Sequence, residues 1–196
     1  MEKPPVKDAE IDFQKQQLRC LMKNKIKKID WDGVSVKVLE NLTSCLYSSF
    51  KGKRIAGYWP IENEVNIIPF LNEWCLNEGS ICLPVIETEN SLLTFHNWTP
   101  KTEMEPGPYK TKVPKRMSEN LIPDVILVPL IAFDNLRNRL GKGKGYYDRT
   151  LEELRSSDKL VLAIGIAAQA QLLPLVPCSA HDQPLDMIVT EEKVYD

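Results

Sequence analysis

The segment Asp124-Val125-Ile126-Leu127-Val128-Pro129-Leu130 constrains the fold more than any other part of the chain. Its Val, Ile and Leu side chains run on without the polar alternation of a half-exposed strand. Such a strand is buried on both faces, as in parallel sheets covered by helices on either side. A turn-rich, basic stretch follows from Ile131 to Gly145. Tyr146–Ser156 then repeats apolar residues at Tyr147, Leu151 and Leu154, the spacing of a helix. Strand, turn and helix in this order predict an α/β fold, a three-layer sandwich with a mostly parallel sheet.

The other elements alternate in the same way. Asp8 to Ile29 reads as an N-terminal helical segment, because Ile11, Leu18, Met22, Ile26 and Ile29 share one stripe. A second helix is expected over 35–49. Asn66 is expected to cap a third that tolerates Pro69 in its first turn, runs to Glu78 and stops at Gly79. Strands are expected over 54–60, 81–85, 92–96, 124–130, 160–168 and 185–190, with a short helix over 169–173. Asn97 to Asn120 holds four Pro, one Gly and eight charged residues without a period, which predicts a long loop. At 196 residues the chain is expected to form one domain spanning 1–196.

Charge and composition remove several classes of function. Lys plus Arg number 25 and Asp plus Glu 27, so there is no basic excess for a generic nucleic-acid surface. No run of 18 apolar residues exists to span a membrane. Neither a nucleic-acid nor a membrane partner is expected. Met1 to Asp12 lacks the apolar centre of a secretory signal and is too acidic for a mitochondrial one. Cys20, Cys45, Cys75, Cys82 and Cys178 are odd in number, form no C-x-x-C pair and sit among apolar neighbours. They suit a reducing compartment. A cytoplasmic monomer acting on small molecules is expected. With His96 and His181 the only histidines, the chain lacks the ligand inventory of a zinc site.

The sharpest local feature is Arg139-Leu140-Gly141-Lys142-Gly143-Lys144-Gly145-Tyr146-Tyr147-Asp148. It follows the most apolar strand and opens a helix. Glycines at alternate positions let the backbone approach a ligand closely. The helix N-terminus offers unpaired N–H groups, and Arg139, Lys142 and Lys144 add full charge. These features describe a polyphosphate or anion cradle, although the segment has neither the G-K-[ST] ending nor the G-x-G-x-x-G spacing. The plain alternative is a solvated basic loop. Asp148, in the first helical turn, either complements the helix dipole or binds Mg²⁺ beside phosphates. Asp186 or Asp182 would be the second carboxylate, and the chemistry alone divides evenly between them. Lys15 lies inside the apolar stripe of the first helix and Arg19 at its edge. Their charged heads either snorkel to water or point inward to an anion. Glu62 and Glu64 follow a strand's carboxyl end, where α/β proteins bind ligands, and could equally be solvated carboxylates.

These residues resemble the 5-formyltetrahydrofolate cyclo-ligase family, also called 5,10-methenyltetrahydrofolate synthetases, over nearly the whole chain. Lys15-Gln16-Gln17-Leu18-Arg19 is similar to the family's basic K-x-x-L-R element. Tyr58 to Val65, Pro129 to Arg149, and His181 to Asp186 with Val189-Thr190-Glu191 resemble its other blocks. R-L-G-x-G-x-G-Y-Y-D is the most specific of these. The resemblance implies a ligase that uses ATP and Mg²⁺ to close 5-formyltetrahydrofolate into 5,10-methenyltetrahydrofolate. It implies that Lys15 and Arg19 hold the triphosphate. Arg139, Leu140, Gly141, Lys142, Gly143, Lys144, Gly145, Tyr146 and Tyr147 would form the ATP loop, with Arg139, Lys142 and Lys144 stabilising the transferred phosphoryl group. Lys142 to Tyr146 would also reach the reduced folate, with Arg19, Trp59 and Glu64. Asp148 and Asp186 would bind Mg²⁺.

Three departures stand out. Arg137 occupies a usual glycine, Lys144 replaces a glycine common among relatives, and Tyr109 to Pro114 only loosely matches an aromatic-Ile-Pro element and is given no role. A turn that tolerates Arg137 is expected to move its positive φ onto Asn135 or Asn138, with Arg137 facing solvent at the loop mouth. Two other classes share these features. An isomerase or CoA-transferase-like enzyme would need a poised carboxylate and no ATP. A non-catalytic nucleotide or folate binder could dispense with the acidic pair, and metal dependence separates it from the ligase.

Overall fold

The computed structural model describes residues 6–77, 79–115, 119–157 and 159–196. Part of the Met1–Asp12 segment, Glu78 at the expected helix end, and 116–118 of the expected loop lie outside the described residues. The elements are α1 (Val6–Ile26), α2 (Trp31–Ser49), β1 (Arg54–Ala56), α3 (Ile68–Leu76), β2 (Ser80–Ile86), β3 (Leu93–Trp98), β4 (Met104–Pro106), β5 (Lys112–Pro114), β6 (Val125–Pro129), β7 (Ala132–Phe133), β8 (Arg139–Leu140), α4 (Tyr146–Ser156), β9 (Leu162–Ile166), β10 (Met187–Val189) and β11 (Val194–Tyr195). Short 3₁₀ turns occupy Pro108–Lys110 and Gln169–Gln171.

A seven-stranded sheet runs β11-β10-β9-β6-β1-β2-β3. Its interior pairs β1 with β2 and β6, and β9 with β6 and β10, all parallel. Only the edge strands β3 and β11 pair antiparallel. Strand β6 lies at the centre and is buried on both faces, as its apolar run requires. Val125 and Leu127 enter one core with Val38, Leu42 and Leu46 of α2 and Phe70, Leu71 and Trp74 of α3. Ile126 and Val128 enter the other, with Tyr146 and Leu151 of α4. Helices on both faces give the three layers. Truncating a fully buried Leu such as Leu127 to Ala would cost about 2–5 kcal/mol. Helix α1 packs separately: Met22, flanked by Leu18 and Ile26, meets Ala132, Leu140 and Val176. This contact sets α1 over the β7–β8 hairpin and so over the glycine-rich loop that follows it.

Two hairpins replace expected loops. Met104–Pro106 pairs with Lys112–Pro114, and Ala132–Phe133 with Arg139–Leu140. The expectation for the second hairpin's turn is overturned. Arg137 itself has φ 65°, whereas Asn135 and Asn138 are not among the left-handed residues. The cause is local bonding. Asp134 Oδ1 accepts the Leu136 and Asn138 N–H groups, and Arg137 N–H donates to Asp134 O. Leu185 N–H then takes the Arg137 carbonyl. These bonds outweigh the roughly 1 kcal/mol cost of the left-handed conformation. Arg137 is half-buried and does not line the cavity described next.

Candidate active site

A cavity of about 870 Å³ opens at the carboxyl ends of β1, β2 and β6, lined there by Tyr58 and Trp59, Ile86, and Pro129. This is the edge of a parallel sheet where ligands bind. Helix α1 and the glycine-rich loop complete its walls.

Lys15 points inward. Its residue is 6% exposed, and Nζ donates to Asp182 Oδ2 at 2.5 Å. Burial alone would raise the Asp182 carboxyl. Hydrogen bonds from Lys15 and Ser179, with the Lys15 charge, bring it below the ordinary value. Arg19, one turn along, donates from Nε to Gly141 O at 2.9 Å. Its guanidinium carbon lies 3.1 Å from where a Cβ on Gly143 would sit, and Gly143 has φ +92°. Only glycine satisfies both conditions. The loop therefore bends around Arg19. Gly145, at φ 67°, then opens α4.

Arg139 is buried in the same wall. Its Nη2 donates to Asp148 Oδ1 at 2.7 Å, its head lies 5.9 Å from the centre of the Tyr147 ring, and its Nε has no hydrogen-bond partner. Asp148 Oδ1 also accepts Gln183 N–H at 3.1 Å. Lys142 Nζ meets Glu64 Oε1 at 2.5 Å, and Glu64 Oε2 accepts Ile61 N–H at 3.0 Å. The Glu64 side chain is 8% exposed, so it is not the solvated carboxylate of the plain reading. Burial, followed by the Glu64 charge, pushes the Tyr58 and Tyr147 phenols up. Lys144 stays exposed, 3.4 Å from Glu89.

The remaining lining is aromatic. Lys112 sits 5.2 Å over the Trp59 ring, Tyr109 is 6.3 Å from Tyr146, and Arg149 lies 5.2 Å over Tyr146 while donating to Lys144 O. Tyr109 and Lys110 carry positive φ values at the tip of the β4–β5 hairpin. The cavity thus has an end rich in paired cations and carboxylates and a wall of flat rings. The first suits a polyphosphate and the second a planar heterocycle. Lys15, Arg139, Lys142 and Lys144 each already face an acid, so an anionic ligand would exchange partners there, whereas Arg19 meets only the Gly141 carbonyl.

One expected site residue lies elsewhere. Asp186 does not line the cavity; its Oδ2 accepts from Arg155 Nη2 at 2.9 Å and Ala163 N–H at 2.7 Å. It stands just before β10, at the amino edge of the parallel strands and away from their carboxyl ends. Of the two alternatives for the second carboxylate, Asp182 is the one that lines the cavity with Asp148. Tyr58, Tyr109, Lys112, Arg149 and Ser179 all line the cavity without having been assigned a role from sequence. Asp182 is the neighbouring alternative to Asp186 that the sequence leaves open, whereas nothing in the sequence marks Lys112. Among the described residues, no group of three or more His, Cys, Asp and Glu gathers as a metal cluster. A carboxylate pair that relies on ligand oxygens for the rest of the shell fits Mg²⁺.

A sequence model of the 5-formyltetrahydrofolate cyclo-ligase family matches residues 12–191. The chain is 32% identical over 146 residues to the 5-formyltetrahydrofolate cyclo-ligase of Haemophilus influenzae, covering 71% of this chain and 76% of the relative. It is 30% identical over 147 residues to that of Escherichia coli, covering 72% and 80%. The solution structure of Aquifex aeolicus 5,10-methenyltetrahydrofolate synthetase superposes with a TM-score of 0.76 at 33% identity, covering 92% of this chain and 91% of the other.

Proposed function

The chain belongs to the 5-formyltetrahydrofolate cyclo-ligase family, and on that premise we propose that it couples ATP hydrolysis to closure of 5-formyltetrahydrofolate into 5,10-methenyltetrahydrofolate. The observation that carries the reading is the meeting of Lys15, Arg19, Arg139 and the glycine loop with Asp148 and Asp182 at one cavity end, beside an aromatic wall.

The chemistry asks little of side-chain nucleophiles. A formamide carbonyl is a poor electrophile, because the N5 lone pair is delocalised into it, and its oxygen is a poor leaving group. Transfer of the γ-phosphoryl group to the formyl oxygen releases ADP and answers both problems. N10 then attacks the activated carbon, phosphate departs, N10 loses its proton, and the amidinium of the methenyl product remains. The residues have to align donor and acceptor and stabilise charge on the phosphoryl oxygens. Lys15, Arg19 and Arg139 would hold the triphosphate. Lys142 and Lys144, at the exposed tip of the loop, would follow the transferred group. Trp59, Tyr146 and Glu64 would hold the folate. Asp148 and Asp182 would hold Mg²⁺, which when bound neutralises β- and γ-phosphate charge. Cys20, Cys45, Cys75, Cys82 and Cys178 are all free thiols, which supports a reducing, cytoplasmic setting. The same reading has the enzyme acting as a monomer. Among the described residues, no helix is long and apolar enough to cross a membrane.

The test is stoichiometry. With substrate limiting, one ADP and one phosphate should appear per methenyl product. Product formed after removal of all nucleotide would refute the ATP-driven route.

A further inference from the structure

Asp134 is 1% exposed and does not line the cavity, yet its carboxylate ties separate stretches of chain together. Oδ1 accepts the Leu136 N–H at 2.9 Å and the Asn138 N–H at 3.0 Å. Oδ2 accepts Asn138 Nδ2 at 3.1 Å and the Val176 N–H at 2.9 Å. All these donors are neutral, and together they fill the lone-pair sites of a carboxylate.

Two backbone bonds run beside this clamp. Leu173 N–H donates to Phe133 O at 2.8 Å, and Leu185 N–H donates to Arg137 O at 3.1 Å. The segment 173–185 is thereby stitched to the β7–β8 hairpin near both its ends, with Asp134 gripping Val176 close to the first. Between those stitches lie Ser179 and Asp182, the latter paired with Lys15. The same hairpin delivers Arg139, which pairs with Asp148. The polyphosphate end of the cavity therefore has two arms, Lys15–Asp182 and Arg139–Asp148. Each arm is carried by one of the stretches that Asp134 joins.

We infer that Asp134 is a positioning residue that sets the separation of these two arms, acting through the backbone and touching no ligand. The inference rests on the reading of the site as an ATP-dependent cyclo-ligase. It assigns a consequence to one buried acid: loss of the clamp disturbs the nucleotide more than the folate, because Trp59 and Glu64 follow β1 and lie outside both joined stretches.

The experiment compares kcat and both Michaelis constants in wild type and Asp134→Asn. The amide has the carboxylate's shape, but its NH₂ must face donors, which opens one side of the clamp. The ATP Michaelis constant should rise about tenfold, the folate constant should stay within about twofold, and circular dichroism should show a folded protein. Thr190→Val is the stability control. Thr190 is fully buried, donates to Lys193 O and does not line the cavity. This variant should melt earlier with both Michaelis constants unchanged, which separates positioning from stability. If Asp134→Asn does not fold, Asn138→Ala, which removes one donor, decides the matter. A severalfold rise confined to ATP supports the inference. No change, or an equal rise for both substrates, overturns it. A wild-type protein without ATP-dependent turnover fails earlier and takes the proposed function down first.

Discussion

Lys15 and Asp182, 167 residues apart in sequence, meet at the cavity wall through Nζ and Oδ2. The contact brings the first helix and the penultimate loop to one point, and it puts a buried cation where an anionic ligand would lie. Lys15→Met should keep α1, because Met is a good helix former and suits the apolar stripe. Loss of a charge-assisted contact is worth roughly 1.5–3 kcal/mol, so the ATP Michaelis constant should rise about 10- to 100-fold. Steady-state kinetics check this, and an unchanged ATP constant would return Lys15 to a structural role.

The carboxylates should separate by position. Asp148→Asn and Asp182→Asn should each raise the Mg²⁺ concentration needed for half-maximal activity by about tenfold, since each removes a hard anionic donor at the phosphate end. Asp186→Asn should titrate with Mg²⁺ like wild type. Its Arg155 contact is partly exposed, so its loss should lower stability by only about 0–1 kcal/mol. A Mg²⁺ defect in Asp186→Asn alone would reverse the assignment.

In the proposed function Glu64 would hold the other substrate. Glu64→Gln keeps the bond to Ile61 N–H but removes the charge facing Lys142. The folate Michaelis constant should rise about tenfold while ATP binding is spared. A defect confined to ATP would place Glu64 on the wrong ligand.

Stability should carry the signature of Asp182. Its folded carboxyl sits below the ordinary 3.8. The folded state therefore holds fewer protons there than the unfolded state, and the stabilisation is fully present above 3.8. It is lost as the pH falls through the lower, folded value. Thermal melting from pH 7 down to about pH 3 should show the margin of wild type over Asp182→Asn narrowing at the acid end. A margin independent of pH would contradict the Lys15–Asp182 pairing.

How far the sequence could be read depended on element length. Tyr146–Ser156 was legible to the residue, because a glycine before it and a steady apolar spacing define both face and start. The parallel strands were legible as buried runs; β1, β6, β9 and β10 are shorter than expected, because apolar residues continue past the last ladder bond, and β2 is one residue longer at each end. The strands of the β4–β5 and β7–β8 hairpins are two or three residues long, and β4 and β5 each end in a proline, too little for a period to register. The glycine loop, Lys15, Arg19, Trp59 and Glu64 converge as the sequence suggested. Asp148 lies with them and Asp186 does not, because a motif gives spacing along the chain, whereas the sheet decides which edge a residue occupies. Asp186 stands just before β10, at the amino edge of the parallel strands and away from their carboxyl ends. Arg137 likewise took the positive φ expected of an asparagine, since the bonds at Asp134 and Leu185 were not visible in the sequence.

The central claim is formation of the methenyl product. Wild-type protein mixed with 5-formyltetrahydrofolate, Mg²⁺ and ATP should produce a growing near-ultraviolet absorbance from the new N5–C–N10 conjugation, ending when the limiting substrate is spent. A flat trace from folded protein with all three present would contradict the account.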